Sequence, residues 1–140
     1  MIDDLFGGPL RQIEASLTVR AARQELLASN IANSETPGYR ALDVNFAATM
    51  ENVVEEMRRA DATAGPRLVP VGSAPAPVGE LFVVEGSDKG SIGNSQNTVD
   101  IDAQMARLDE NRLMFQATAQ LAALRFQGLK SILEEGGRAR

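Results

Sequence analysis

From Asp100 to Glu135 the chain reads DIDAQMARLDENRLMFQATAQLAALRFQGLKSILEE, and the spacing of its apolar residues decides the fold. Ile101, Met105, Leu108, Arg112, Phe115, Ala119, Ala122, Phe126, Leu129 and Leu133 follow alternating four- and three-residue steps, and nine of these ten positions are apolar. That period holds one stripe on one face of an α-helix. Asn97, Thr98 and Asp100 offer caps at the start and Gly136-Gly137 a stop. The spacing therefore predicts a helix of about 36 residues, roughly 54 Å at 1.5 Å per residue. A second row, Met114, Ala117, Leu121, Leu124 and Ile132, makes the apolar surface of the C-terminal half wider than one antiparallel partner would cover. Such a helix calls for more than one neighbour. The plainer alternative is the core helix of a monomeric bundle.

Working back to the other end, Leu10, Ile13, Leu17, Ala21, Ala28 and Ile31 recur at the same steps, interrupted by Gln24, and predict a helix from Pro9 to Asn33. Pro9 suits a first helical position. Pro37 pushes Thr36 out of the helical region, and Pro37-Gly38 is the central pair favoured by a type II turn. Residues 46–61 read as a short amphipathic helix carrying Phe46, Met50, Val53, Val54 and Met57. Residues 62–97 then hold four of the six Pro and six of the twelve Gly, which predicts loops, with weak strands near Leu68 to Val71 and Leu81 to Glu85. The expected fold is mainly α. Long N- and C-terminal helices pair as an antiparallel coiled-coil-like hairpin, joined by a short helix and a turn-rich middle with weak β structure.

Composition narrows the function. The 140 residues include no Cys and no His, so thiolate nucleophiles, disulfides, imidazole bases and the usual zinc ligands are excluded. A net charge of −5 with mixed signs along the chain argues against binding a phosphate backbone, so no nucleic acid partner is expected. The longest apolar runs, such as Leu81-Phe82-Val83-Val84, fall far short of the roughly 20 residues a membrane span requires. Met1-Ile2-Asp3-Asp4-Leu5-Phe6 carries acids where a cleaved secretion signal carries bases, so no such signal is expected.

Carboxylate pairs occur at Glu55-Glu56, Asp109-Glu110 and Glu134-Glu135. Adjacent helical residues point about 100° apart, so these acids read as solvated faces and not as a converging acid/base pair. Asp100 and Asp102 stand at a helix start, where capping and the helix dipole explain them without a metal. The glycines match no phosphate-binding pattern. No catalytic residue, metal site or cofactor is expected. The sharpest local feature is Asn30-Ile31-Ala32-Asn33-Ser34-Glu35-Thr36-Pro37-Gly38-Tyr39. Taken by itself it reads as a helix C-cap followed by a turn, because Asn tolerates the left-handed conformation and its amide satisfies free carbonyls.

At these residues the sequence resembles the axial proteins of the bacterial flagellum. Rod and hook members of that family are similar to one another in an N-terminal helix closing on Asn-Ile/Leu-Ala-Asn and a Thr-x-Gly-aromatic turn. Here these are Asn30-Ile31-Ala32-Asn33 and Thr36-Pro37-Gly38-Tyr39. Arg40 to Phe46 and the short length look like the proximal rod members. Asn97-Thr98-Val99-Asp100, Met105, Leu108, Asn111, Phe115, Gln116 and Leu124 to Ile132 resemble the family's terminal helix, with Phe115 where an aromatic, often Tyr, is common.

The resemblance implies a structural subunit of the proximal rod of the basal body, on the periplasmic side of the inner membrane. It would be exported by the flagellar type III apparatus, polymerised through its terminal helices, and help to transmit torque from the motor to the hook and filament. Residues 1–35 and 98–140 would be the inner-tube helices and 36–97 the segment between them. Leu10, Ile13, Leu17, Ala21, Ala28 and Ile31 would pack with Ile101, Met105, Leu108, Phe115, Ala119, Ala122, Phe126, Leu129 and Leu133, within the hairpin and between subunits. The implied partners are copies of the chain, neighbouring rod proteins, the adaptor protein at the rod base and the export gate. Another short rod subunit of the same family is one alternative reading; a helical-hairpin binding module or export chaperone is another.

Overall fold

The computed structural model describes residues 8–64, 82–86 and 98–138. In these, helix α1 runs Gly8–Ala32, strand β1 Leu42–Val44, helix α2 Phe46–Ala64, strand β2 Val84–Gly86 and helix α3 Ile101–Arg138. The fold is mainly α, as the periodicity predicts, and the long terminal helices pack on each other along the largest interface between elements. Their direction is antiparallel. The Asn30 side chain meets that of Gln104, and the Arg20 carbonyl meets the side chain of Asn111.

Helix α3 does not stop at Gly136-Gly137 but carries through both glycines to Arg138. Glycine lowers helix stability by about 1 kcal/mol relative to alanine without forbidding the conformation, so two of them only weaken the last turn. At 1.5 Å per residue, the 38 residues of α3 are about 57 Å long, against about 37 Å for the 25 of α1. With Asn30 opposite Gln104, the last turns of α3 extend beyond Gly8.

The sequence pattern gave no strand at Leu42–Val44, and this is where β1 forms. It pairs antiparallel with β2, Leu42 opposite Gly86 and Val44 opposite Val84, so the strand expected near Leu81 to Glu85 lies slightly later. The strand expected near Leu68 to Val71 lies outside the described residues. Three residues per strand are too few for alternation to show. β1 is held instead by tertiary bonds, which hydropathy patterns do not report.

Helix α2 begins on Asn45, whose side-chain Oδ1 accepts from the Ala48 N–H at 3.1 Å, an N-cap. The Asn45 N–H donates to the Val83 carbonyl at 2.8 Å, and the Val83 N–H donates to the Thr49 hydroxyl at 3.0 Å. The start of α2 is thereby tied to the chain entering β2. Helix α3 is capped by Asp100, whose Oδ1 accepts from the Ala103 N–H at 3.2 Å. Thr98 has a different task, described below.

Candidate functional site

The chemistry of the Asn30–Tyr39 segment depends on where its two amides go. Asn33 caps: its Nδ2 donates to the Ser29 carbonyl at 2.8 Å, and the Thr36 hydroxyl donates to its Oδ1 at 3.4 Å. The Tyr39 N–H donates to the Thr36 carbonyl at 3.2 Å and closes the turn expected there, with Gly38 at φ +73°. A β-carbon at Gly38 would meet nothing within 4 Å, so glycine is needed for its backbone conformation and not for space.

Asn30 does something else. It is fully buried, and its Nδ2 donates to the Leu42 carbonyl at 2.6 Å and to Gln104 Oε1 at 3.0 Å. Its Oδ1 accepts from the Leu42 N–H at 3.1 Å and from the Tyr39 hydroxyl at 3.3 Å. Both donors and both acceptor positions of the amide are thus used. Asn30 is not a C-cap; it joins α1, the turn, β1 and α3 at one point. The sequence pattern predicts a cap because an amide at a helix end satisfies local carbonyls in most contexts, and nothing in that pattern marks Gln104 as its partner.

Two further contacts brace the same corner. Thr98 donates its N–H to the Tyr39 carbonyl at 3.1 Å and accepts the Ala41 N–H on its hydroxyl at 2.9 Å, which fixes the entry to α3 beside the turn. Arg23 grips Asp43 with two bonds of 2.7 Å, Nε to Oδ1 and the terminal guanidinium nitrogen to Oδ2. The hydrogen bonds Arg23 donates to Asp43 raise its pKa above its ordinary value, against the opposing effect of burial. One turn earlier, the Arg20 guanidinium lies 4.0 Å from the centre of the Phe46 ring, a cation–π contact. Burial, and then the charge of Arg23, lower the pKa of Arg20.

The seam between the helices differs from the stripe the sequence offers. On α3 it follows Gln104, Leu108, Asn111, Phe115, Thr118, Ala122 and Leu129, and Gln104 and Asn111 are fully buried. Four members of the expected stripe, Leu108, Phe115, Ala122 and Leu129, lie on this seam and are half-buried. Ala119 is also half-buried, while Ile101, Met105, Phe126 and Leu133 are exposed. On α1, Ile13 and Leu27 are buried, Leu10, Leu17 and Ile31 half-buried, and Ala21 and Ala28 exposed. In the turn segment Ala32, Thr36, Pro37 and Gly38 are exposed, and Asn33 and Tyr39 half-buried. Hydropathy does not single out Gln104, Asn111, Arg23 or Asp43, because a polar side chain whose partner lies elsewhere in the fold looks like a surface residue in a sequence; Thr98, expected as a cap, braces the turn instead.

Among the described residues, nothing covers a large apolar surface of α3. Large hydrophobic side chains of α3, among them Leu113, Met114, Leu121, Leu124, Ile132 and Leu133, are 46–68 % exposed. An apolar groove of about 190 Å³, lined by Leu10, Leu124, Leu129 and Ile132, opens where α1 begins. Among the described residues no cluster of carboxylates is arranged to hold a metal ion, and no helix is long and apolar enough to cross a membrane.

The family described as "Flagella basal body rod protein" matches residues 16–40, from Ser16 in α1 through the turn to Arg40. The chain is 32 % identical over 139 residues to the flagellar basal body rod protein FlgB of Yersinia enterocolitica, covering 95 % of this chain and 98 % of that one. It is 33 % identical over 138 residues to FlgB of Escherichia coli (strain K12), with the same coverage. The chain belongs to the FlgB family. A more distant FlgB, from Bacillus subtilis (strain 168), is 27 % identical over 139 residues, covering 94 % of this chain and 98 % of the relative. The FlgB family is one of structural flagellar rod proteins and not of enzymes. Membership places the chain in the basal-body rod and implies assembly with other rod proteins.

Proposed function

We propose that this chain builds the proximal rod of the flagellar basal body, on the periplasmic side of the inner membrane, and helps to carry torque from the motor to the hook and filament. It is delivered through the flagellar type III apparatus and polymerises through α1 and α3. The observation that carries this reading is the length of α3 left with large apolar side chains in solvent, on a chain of the FlgB family. Soluble monomers rarely expose large contiguous apolar patches, and burying such side chains against neighbouring subunits contributes about 25 cal/mol for each Å² covered.

In this reading residues 1–35 and 98–140 form the inner-tube region and residues 36–97 the connection around it. Ala21 and Ala28 on α1 and Ile101, Met105, Phe126 and Leu133 on α3, all exposed in the single chain, are subunit contacts. Leu10, Ile13, Leu17, Ile31, Leu108, Phe115, Ala119, Ala122 and Leu129 hold the hairpin together. The partners are further copies, neighbouring rod proteins, the adaptor at the rod base and the export gate.

The test is complementation of a host deleted for this chain. Wild type restores swimming, and the chain appears in purified basal bodies by mass spectrometry. A Leu124→Glu/Leu133→Glu variant, which folds because both side chains are exposed, restores neither. Normal swimming by the deleted host, or a chain bound to another protein and absent from basal bodies, would overturn the reading and favour a chaperone.

A further inference from the structure

We propose that the buried amides of α3, Gln104 and Asn111, are the register-setting residues of the terminal helix pair, specifying which turn of α3 lies beside which turn of α1. The argument starts from what the apolar residues of the seam leave undecided. Leu108, Phe115, Ala122 and Leu129 stand seven residues apart and are the apolar column α3 turns toward α1. Sliding α3 by seven residues, about 10.5 Å, puts three of the four where another stood. The apolar column therefore accepts several registers.

The amide column does not. In the observed register Gln104 Oε1 accepts from Asn30 Nδ2 at 3.0 Å, and Asn111 Nδ2 donates to the Arg20 carbonyl at 2.8 Å. A slip of one heptad in one direction brings the shorter Asn111 opposite Asn30, and in the other it moves Gln104 beyond Asn30's reach. Each slip breaks both bonds and leaves buried amides to be satisfied anew. The same column costs stability: Asn111 Oδ1 is buried with no hydrogen-bond partner, a penalty a leucine would not carry. A polar residue kept in a helix seam against that cost is the known device for selecting one register. The bonds of Thr98 to Tyr39 and Ala41 also restrain α3, but only through the residues that precede its first turn.

The chain has no cysteine, so cross-linking reads the register directly. With Asn30 opposite Gln104, Ser16 lies opposite about Thr118, and one heptad of slip puts Arg125 there. In the full-length protein, Ser16→Cys/Thr118→Cys joins through a short bis-maleimide, whereas Ser16→Cys/Arg125→Cys gives only a trace. In a Gln104→Leu/Asn111→Leu background, which leaves the bonds of Asn30 to Leu42 intact, the 16–125 product rises about tenfold or more. Gln104→Glu, with Asn111 retained, keeps an acceptor for Asn30 and gives the 16–118 product alone. The single Gln104→Leu variant repeats the measurement if the double variant does not fold. A leucine seam that still yields only the 16–118 product would overturn the proposal and assign the register to Thr98. So would a wild-type seam that yields both products.

Discussion

Asn30 and Gln104, seventy-four residues apart in the sequence, meet amide to amide at 3.0 Å with no surface of either exposed. This contact links the end of the first helix to the first turn of the last. The same Asn30 amide holds both backbone groups of Leu42. The exit of the chain from α1 and its entry into β1 are therefore set by one side chain, which in turn rests on α3.

Removing that side chain strands several buried groups at once. Asn30→Ala is expected to lower stability by about 2–4 kcal/mol, because Gln104 and both polar backbone groups of Leu42 lose a partner. Asn30→Asp should cost at least as much. It keeps the acceptor for the Leu42 N–H but sets a carboxylate against the Leu42 carbonyl and Gln104 Oε1, where donors are required. Urea unfolding followed by circular dichroism measures both, and an aspartate variant clearly more stable than the alanine one would contradict the assignment.

The Arg23–Asp43 pair is bidentate, with the two side chains each 17 % exposed. Arg23→Lys is expected to lose about 1–2 kcal/mol although it keeps the charge, since an ammonium cannot make two parallel bonds to one carboxylate. A double-mutant cycle with Asp43→Asn should give a coupling energy of the same order. Coupling indistinguishable from zero would reduce the pair to an ordinary surface contact.

At Gly38 conformation and space separate cleanly. A methyl group there meets nothing within 4 Å, yet φ is +73°. Gly38→Ala should cost about 1–2 kcal/mol, and Gly38→Asn less, because asparagine tolerates left-handed backbone. Thermal melts of the two variants test the order; an alanine variant as stable as wild type would mean the turn relaxes to another form.

Gly128 gives the opposite expectation for stability and assembly. It lies within α3, and a β-carbon there also meets nothing within 4 Å. Gly128→Ala should stabilise the isolated chain by about 0.5–1 kcal/mol through helix propensity. Gly128 also lines the apolar groove at the start of α1. If a neighbouring subunit seats against that groove, the same variant impairs swimming while melting higher. A variant that melts higher and swims normally would show the groove is not in a subunit contact.

The sequence by itself determined the long terminal helices, their lengths to within a few residues, the turn at Thr36–Tyr39 and the family, because these rest on local periodicity, backbone restriction at Pro37 and Gly38, and a contiguous motif. The same signals are silent where two residues far apart have to find each other. The four-three stripe of α3 marks Met105 and Phe126 as readily as Leu108 and Phe115, and only packing shows that the second two face α1 within the chain while the first two are exposed. Tertiary structure alone placed Gln104 and Asn111 in the seam, made Asn30 a joint where a cap was expected, and drew Leu42–Val44 into a strand. The reason is physical. Hydropathy records the preference of each side chain for water, whereas a buried amide is stable only through the particular partner the fold brings to it, and that partner is not adjacent in the chain.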